Sequence, residues 1–292
     1  MMTKKVAQYQ DLINDYLEHH VRADVDQETL SASMTYSLMA GGKRLRPALT
    51  LTTTEMLGAP ITQSVLKAAC ALELLHTYSL IHDDLPAMDD DPLRRGKATN
   101  HVRFGAGMAT LAGDGLLTLA FQWLSENGLP VVIRLRLVQA LAEAAGPAGM
   151  VAGQARDIHY TGRKLSLAEL RYLHRQKTGA LLRYAVEAGG IITNQSEPVM
   201  AALSSFGANY GLAFQIYDDI LDLTSTPEQL GKATQKDAGE NKNTYPSLLG
   251  LAGAKQQLEK ALTAARHDQS KLAAVSQRSF DGYDEFLAYF KA

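Results

Sequence analysis

The feature that most constrains the fold is an apolar segment that ends in acidic residues. The segment from Val65 to His82 is mostly apolar, contains no glycine or proline, and passes directly into Asp83 and Asp84. A run of this length and composition is typical of a helix in a protein core. Carboxylates at the end of such a helix repel one another and lose solvation unless they share a cation. We therefore predict a buried helix that delivers acidic ligands to a functional site.

A second acidic cluster, Asp218-Asp219-Ile220-Leu221-Asp222, follows another apolar, helix-patterned run. Gln215, Asp218 and Asp222 are spaced to share one helix face, and Asp219 points to the side. For one such cluster alone, an N-cap or a solvated helix face is the simpler interpretation. Oxygen ligands without a His/Cys set favour a hard cation such as Mg²⁺, which keeps waters and bridges to phosphate. Two clusters together predict a site where Mg²⁺ ions hold a diphosphate between two helices.

The remaining pattern is helical throughout. Residues Val6–Leu17 are apolar at three- and four-residue steps, and Ser166–Glu169 has the pattern of a capping box before a long helix. Ser196–Pro198 and Thr244–Pro246 are expected to begin two further helices. No segment alternates with period two between turn residues, so no strand is predicted. The polar stretch Thr224–Asn243 is predicted to be a mobile loop.

Composition excludes several classes of protein. The chain has 292 residues, of which 46% are hydrophobic and 21% are charged, which indicates a globular protein. A net charge of −2 gives no general attraction to nucleic acid. The single cysteine, Cys70, lies in an apolar run and is expected to be a small core residue. Neither a signal peptide nor an apolar run of membrane-spanning length is recognised, so a cytoplasmic location is expected.

Basic residues alternate with the acidic clusters. Gly41–Pro47 places three cations on a connection loosened by glycine, and Arg94–Lys97 follows the first acidic cluster. Arg makes forked contacts with phosphate, whereas Lys supplies a point charge. Either group alone is ordinary surface charge, but the alternation with acidic clusters favours a phosphate site. His76 is in line with Asp83 on one helix face, although a hydrogen-bonded core histidine is the simpler interpretation.

The segment Lys177-Thr178-Gly179 interrupts a helix with apolar surroundings. Gly179 permits a bend, and a bend frees carbonyl oxygens that can face a developing positive charge. A helix with a tolerated glycine is the alternative.

Together these motifs resemble those of the trans-isoprenyl diphosphate synthase family, most closely its bacterial farnesyl-producing members. The resemblance extends from about Ser31 to Leu251. It rests on the following segments, in chain order: Gly41–Pro47, Glu73–Lys97, Ala112–Leu117, Lys177–Gly179, Gly211–Asp222 with Gly231-Lys232, and Asn243–Leu251.

The resemblance implies an all-α, isoprenoid synthase-type helical bundle around a deep central cavity, formed as one domain by residues 1–292. It also implies a homodimer that associates through apolar helix faces, with Ala109–Leu124 as a candidate segment. No nucleic acid partner and no stable membrane insertion are expected.

The resemblance further implies site residues, position by position. Asp83, Asp89 and Asp218 would be ligands of Mg²⁺, with three ions expected in each site. The expected catalytic residues are Asp83, Asp84, Asp89, Lys177, Thr178, Gln215 and Asp218. Arg94, Lys177 and Lys232 would hold the allylic diphosphate, with Lys242 as a further candidate. Lys43, Arg46, His76 and Arg95 would bind isopentenyl diphosphate.

The implied reaction condenses isopentenyl diphosphate with dimethylallyl and then geranyl diphosphate to give farnesyl diphosphate. It proceeds by ionisation, condensation and proton elimination, and closure of the loop Thr224–Asn243 would exclude water. Tyr78 lies five residues before Asp83, which places it about 7.5 Å deeper along the helix. Tyr78 and its neighbour Ser79 would limit chain length. Tyr78 as an ordinary core residue is the alternative.

Other functions remain open at this point. A geranylgeranyl diphosphate synthase shares the motifs and can share the two extra residues of the first acidic cluster. A terpene cyclase would normally carry a different metal set in place of the second cluster. A metal phosphohydrolase built on His82-Asp83 needs more histidines than His76 and His101. A catalytically inactive partner subunit should have lost one acidic motif.

The roles of Arg156 and His159, where the family usually has small or acidic residues, are not predicted.

Overall fold

The structure is a computed structural model, and it describes residues 4–225 and 243–290. These residues are almost entirely helical, so the predicted all-α class is confirmed. The helices are α1 (Lys4–Ala23), α2 (Glu28–Leu38), α3 (Leu45–Met56), α4 (Gln63–Asp83), α5 (Asn100–Phe104), α6 (Ala106–Ser125), α7 (Val131–Ala145), α8 (Met150–Tyr160), α9 (Leu167–His174), α10 (Ala180–Ile192), α11 (Glu197–Thr224), α12 (Tyr245–Ser276) and α13 (Gly282–Leu287).

The prediction that the chain has no strand is wrong at one place. A two-stranded antiparallel hairpin joins β1 (Leu93–Arg94) to β2 (Lys97–Ala98). Arg95 and Gly96 form its turn with φ of 54° and 75°, as a tight hairpin turn requires. Two-residue strands are too short to produce a period-two pattern, so no sequence signal marked them.

Helix starts follow the predicted caps. Ser166 and Glu169 form a capping box before α9, because the hydroxyl accepts from the Glu169 N–H and the Glu169 carboxylate accepts in return. Thr244 and Ser247 form a second capping box before α12. The long helix predicted after Ser166 is, however, interrupted by a π-helical turn at Arg175–Gly179, the π turn, between α9 and α10.

The chain divides into two compact units. The amino-terminal unit comprises Ile61–Val138 and the described part of Thr3–Leu51. Its core is α4, which packs against α6, and Cys70 is fully buried there as predicted. Trp123 is also fully buried, and its indole N–H donates to the Asp24 carboxylate at 2.6 Å.

The carboxy-terminal unit comprises Thr52–Pro60 and the described part of Gln139–Ala292. Its centre is α11, which packs against α10 and α12. Phe206 and Tyr283 stack at 4.0 Å between ring centroids, and Tyr283 shares a hydrogen bond of 2.7 Å with Thr53. The prediction of a single domain stays a prediction. No helix within residues 4–225 and 243–290 is both long and apolar enough to cross a membrane.

Candidate active site

In the amino-terminal unit, α4 places the first acidic motif at its carboxyl end. The helix ends at Asp83, and the following turn folds back so that the Asp89 N–H donates to the Asp83 carbonyl at 3.0 Å. Asp90 has φ of 48°, which helps to close this turn. Two predicted metal ligands six positions apart are thereby joined through their backbones. Both side chains are partly exposed.

Asp84, the second residue of this motif, is in a different environment. Its side chain is buried, and both carboxylate oxygens accept from Arg94 Nε at 2.8 and 2.9 Å. An Arg94 Nη also lies 2.6 Å from the Asp84 carboxylate. Burial raises the pKa of Asp84, and the hydrogen bonds and charge of Arg94 oppose that shift. Asp84 is therefore placed to hold Arg94 in position.

The hairpin turn directs Arg95 toward the Gly41-Gly42 connection. The Arg95 guanidinium donates to the Gly41 carbonyl, and a Cβ added at Gly42 would lie 2.7 Å from one of its nitrogens. The φ of 130° favours glycine at position 42, and a side chain there would displace the Arg95 guanidinium. The predicted grouping of Arg95 with the glycine connection is therefore present in this unit. Lys43 is exposed on the same connection.

Arg46 and His76 meet beside this connection. An Arg46 Nη donates to His76 Nε2 at 3.2 Å, so that ring nitrogen is the acceptor. Burial lowers the pKa of His76 well below its usual value, and the charges of Arg46 and Arg95 lower it further. His76 is consequently neutral, in agreement with a hydrogen-bonded histidine that orients an arginine.

Arg44, one of the three cations predicted on the connection Gly41–Pro47, is not exposed at the surface. Arg44 is buried, donates to Glu73 at 2.7 Å and to the Asn14 side chain at 2.8 Å, and has its other guanidinium nitrogen on the Leu38 carbonyl. A charge buried in this way needs an opposite partner, and Glu73 supplies it. Arg44 is therefore a buried structural cation rather than part of the exposed basic group, and no sequence pattern indicated its pairing with Glu73.

Tyr78 and Ser79 lie on α4 below the acidic turn. Tyr78 is buried, and its ring meets the His82 ring edge to face at 5.5 Å. A Cβ added at Gly113 of α6 would collide with the His82 ring, which shows how closely α6 covers this part of α4. The Ser79 hydroxyl donates to the His76 carbonyl at 2.8 Å. Their role in chain length stays a prediction.

In the carboxy-terminal unit, the π turn confirms the predicted irregularity at Lys177–Gly179. A π turn inserts an extra residue into a helix and alters the direction of its carbonyls. Two glycines hold it from outside. A Cβ added at Gly153 of α8 would lie 2.2 Å from the Lys177 nitrogen, and one at Gly211 of α11 would lie 2.9 Å from the Gly179 Cα.

Lys177 is paired with a residue that the sequence analysis did not select. Its Nζ lies 2.5 Å from an Asp157 carboxylate oxygen, and both side chains are largely buried. Asp157 lies on α8, and two neighbouring residues of this helix have local partners. Arg156 stacks over the Tyr172 ring at 5.1 Å, and His159 lies 3.4 Å from Arg163. The spacing from residue 157 to 177 carries no helix-face signal, so this pair was missed.

Thr178 and Gln215 form the predicted pair in the same unit. The Thr178 hydroxyl donates to Gln215 Oε1 at 2.5 Å, and Gln215 Nε2 donates to Asp219 Oδ1 at 2.9 Å. The other Asp219 oxygen accepts from the Tyr245 N–H at 2.9 Å. The prediction that Asp219 points away from the face of Gln215 is wrong, because Asp219 is buried and bonded to Gln215, whereas Asp218 is partly exposed. Lys232, Lys242 and the loop predicted at Thr224–Asn243 lie outside the described residues, apart from the loop's terminal positions.

The carboxylates of the acidic motifs are the candidate ligands for Mg²⁺. Among residues 4–225 and 243–290, no three His, Cys, Asp or Glu side chains converge as a complete protein-only metal site. Mg²⁺ does not need one, because it is usually held by one or two carboxylates together with waters and substrate phosphate. In the amino-terminal unit, Asp83 and Asp89, joined through the turn, are all-oxygen donors of this kind. The donor set therefore fits Mg²⁺ bound with a diphosphate.

Comparison with known proteins gives the family. The Polyprenyl synthetase family model matches residues 27–278. A farnesyl diphosphate synthase from Geobacillus stearothermophilus is 54% identical over 81% of this chain and 80% of its own length. A chloroplastic geranylgeranyl pyrophosphate synthase from Capsicum annuum is 46% identical over 79% of this chain and 63% of its own length.

A solved structure matches the whole chain. It is a geranyltransferase from Helicobacter pylori, described as complexed with magnesium and isoprenyl diphosphate. Its TM-score is 0.85 at 31% identity, and the match covers 100% of this chain and 99% of that one. The motifs from Gly41 to Leu251, on which the predicted resemblance rests, lie inside the matched region. The chain belongs to the polyprenyl synthetase family.

Proposed function

We propose that the chain is a farnesyl diphosphate synthase, which condenses isopentenyl diphosphate with dimethylallyl and then geranyl diphosphate. The observation that carries this proposal is the acidic turn, in which Asp83 and Asp89 are joined while Asp84 fixes Arg94 beside them. This arrangement combines carboxylates for a hard cation with a cation for phosphate on one helix end. The similarity to curated farnesyl diphosphate synthases supports the product.

The amino-terminal unit supplies the following groups to the reaction. Asp83 and Asp89 would hold Mg²⁺, which would supply positive charge to offset the negative charge on the departing diphosphate. Arg94, oriented by Asp84, contacts the allylic diphosphate. The isopentenyl diphosphate contacts Lys43, Arg46, His76 and Arg95. Because His76 is neutral, it adds a hydrogen bond to this group without adding charge.

The carboxy-terminal unit supplies groups for the diphosphate and groups for the allylic cation. Asp218 is the further Mg²⁺ ligand, and Lys177 contacts the allylic diphosphate. Lys232 and Lys242 remain candidates for the same contact. The Thr178 hydroxyl and the Gln215 amide present oxygen atoms, which stabilise an allylic cation without being alkylated readily. The proton lost after condensation passes to the departed diphosphate.

A geranylgeranyl diphosphate synthase is the second candidate, because relatives with that name match most of this chain. We favour the farnesyl product because the relatives with that name reach higher identity and because Tyr78 adds a bulky ring below the acidic turn. Three Mg²⁺ ions in each site, a homodimer and a cytoplasmic location complete the proposal.

The test is incubation of the purified protein with Mg²⁺, isopentenyl diphosphate and either dimethylallyl or geranyl diphosphate, followed by sizing of the products. Farnesyl diphosphate is the expected product from both starters. Products of twenty carbons would transfer the proposal to the second candidate. Release of free diphosphate without chain elongation would contradict both.

A further inference from the structure

We propose that Asp219 is a positioning residue that fixes, through Gln215, the direction in which the Thr178 hydroxyl donates its proton. The inference deepens the proposed function and rests on it for its catalytic consequence. It concerns residues of the carboxy-terminal unit only, and it is carried by three hydrogen bonds that connect Tyr245, Asp219, Gln215 and Thr178 in series.

The series begins at a backbone N–H, which can only donate a hydrogen bond and whose orientation the helix fixes. The Tyr245 N–H is a backbone group at the first position of α12, where no intrahelical acceptor exists for it. It donates to Asp219 Oδ2 at 2.9 Å in a buried environment. A carboxylate at a helix amino terminus also interacts favourably with the helix dipole. Asp219 is therefore held as an acceptor on this side.

Asp219 in turn determines the orientation of the Gln215 side-chain amide. An ionised carboxylate only accepts hydrogen bonds, whereas a side-chain amide has one donating and one accepting end. Gln215 must consequently turn its Nε2 toward Asp219, at 2.9 Å, and its Oε1 toward Thr178. Gln215 and Asp219 are four positions apart on α11, so the two side chains meet on one face of the helix.

The final step sets the hydroxyl. Because Gln215 Oε1 faces Thr178 at 2.5 Å, the Thr178 hydroxyl must donate to it. The Thr178 oxygen then keeps its lone pairs for other neighbours. Under the proposed function this neighbour is an allylic cation, which lone pairs stabilise and which an O–H proton would destabilise. The series of bonds selects the favourable orientation before substrate binds.

The variant Asp219→Asn tests this because it reverses the series without changing the shape of the side chain. The Tyr245 N–H is fixed, so the new amide must turn its oxygen to Tyr245 and its nitrogen to Gln215. Gln215 then has to present Oε1 to that nitrogen and Nε2 to Thr178. The Thr178 hydroxyl becomes an acceptor from Gln215, and its O–H bond then points toward the cation.

We expect Asp219→Asn to lower kcat by on the order of tenfold or more while KM changes little, because the reversed group acts on the transition state. In a Gln215→Leu background, which has no amide to turn, the same substitution should cause no further loss. An equal loss in both backgrounds would overturn the inference. As a matched control, Asp268→Asn removes another buried carboxylate that accepts from an α11 amide, Asn209, at 2.7 Å, and should leave kcat unchanged.

A measurement without substrate separates this inference from the proposed function. The nuclear Overhauser effect between the Gln215 side-chain NH₂ and the Thr178 methyl group should strengthen in Asp219→Asn, because the amide nitrogen turns toward Thr178. An unchanged effect would overturn the orientation argument even if the enzyme is active. Absence of chain elongation by the wild-type protein, with the expected change in the NMR signal, would instead contradict the proposed function.

Discussion

At the scale of single residues, adjacent aspartates in each acidic motif have different neighbours. Asp84 is buried against Arg94, and Asp219 is buried against Gln215 and the start of α12. Asp83 and Asp218 precede them and stay partly exposed. In both motifs, therefore, the first aspartate is partly exposed, and the second is buried against a neighbouring polar group. Under the proposed function, one helix end would supply both a metal ligand and the residue that positions its neighbour.

A comparison of two neighbouring aspartates tests the assignment of metal ligands. Asp89→Asn should lower kcat by on the order of 10²-fold or more, because it removes a carboxylate from the metal and its diphosphate. Asp90→Asn removes the same charge one position later, and asparagine tolerates its φ of 48°. We expect this exposed control to retain nearly full activity in a steady-state assay. Equal losses in both variants would show that only the charge of the turn matters.

Tyr78 gives a second test at this scale. Tyr78→Ala removes a buried ring from α4, and we expect products longer than fifteen carbons because the space below the acidic turn deepens. Tyr78→Phe keeps the ring and should keep the product length. Chromatographic sizing of the products distinguishes the two. An unchanged product in Tyr78→Ala would remove this residue from the control of chain length.

At the scale of elements, close approach of backbones decides the geometry of the π turn. Gly153→Ala would place a methyl group within 2.2 to 2.8 Å of the Lys177 and Gln176 backbone, which cannot rotate away. We expect a loss of roughly 2–3 kcal/mol or more in the free energy of unfolding, measured by urea denaturation. The matched control is Gly107→Ala in α6, where a Cβ meets open space and should stabilise by about 0.5–1 kcal/mol. A neutral Gly153→Ala variant would mean that α8 can move away without cost.

Some helix starts could be predicted from the sequence, whereas the hairpin could not. The caps at Ser166 and Thr244 predicted helix starts correctly, because capping depends on residues a few positions apart. The hairpin at Leu93–Ala98 was missed, because its turn uses Arg95 in a left-handed conformation, which is uncommon outside glycine and asparagine.

Ion pairs that form only by tertiary packing could not be predicted from the sequence, for a different reason. Arg44–Glu73 and Lys177–Asp157 each join separate elements. Sequence spacing defines a shared face only within one helix, so it contains no information on such pairs. The acidic motifs, by contrast, were recognised because all their parts lie on one helix or its end.

At the scale of the whole molecule, buried neutral histidines make stability depend on pH. Burial lowers the pKa of His174 to about 3, with the Lys177 charge adding to the shift and Asp157 opposing it. Burial likewise lowers the pKa of His76. An unfolded histidine has a pKa of about 6.5, so the unfolded chain binds protons that the folded chain does not. The stability that these groups contribute is therefore fully present above about pH 6.5 and falls as the pH is lowered.

The variant His174→Gln should remove part of this dependence. Between about pH 6.5 and 3, one such histidine contributes a slope of up to about 1.4 kcal/mol per pH unit to the free energy of unfolding. Urea denaturation at several pH values between 7 and 4.5 should therefore give a smaller slope in the variant than in the wild type. His267→Gln, which changes an exposed histidine on α12, should leave the slope as it is. Because His76 keeps its own contribution, a residual slope is expected, and an unaltered slope in His174→Gln would mean that the folded protein accepts a proton at this buried ring.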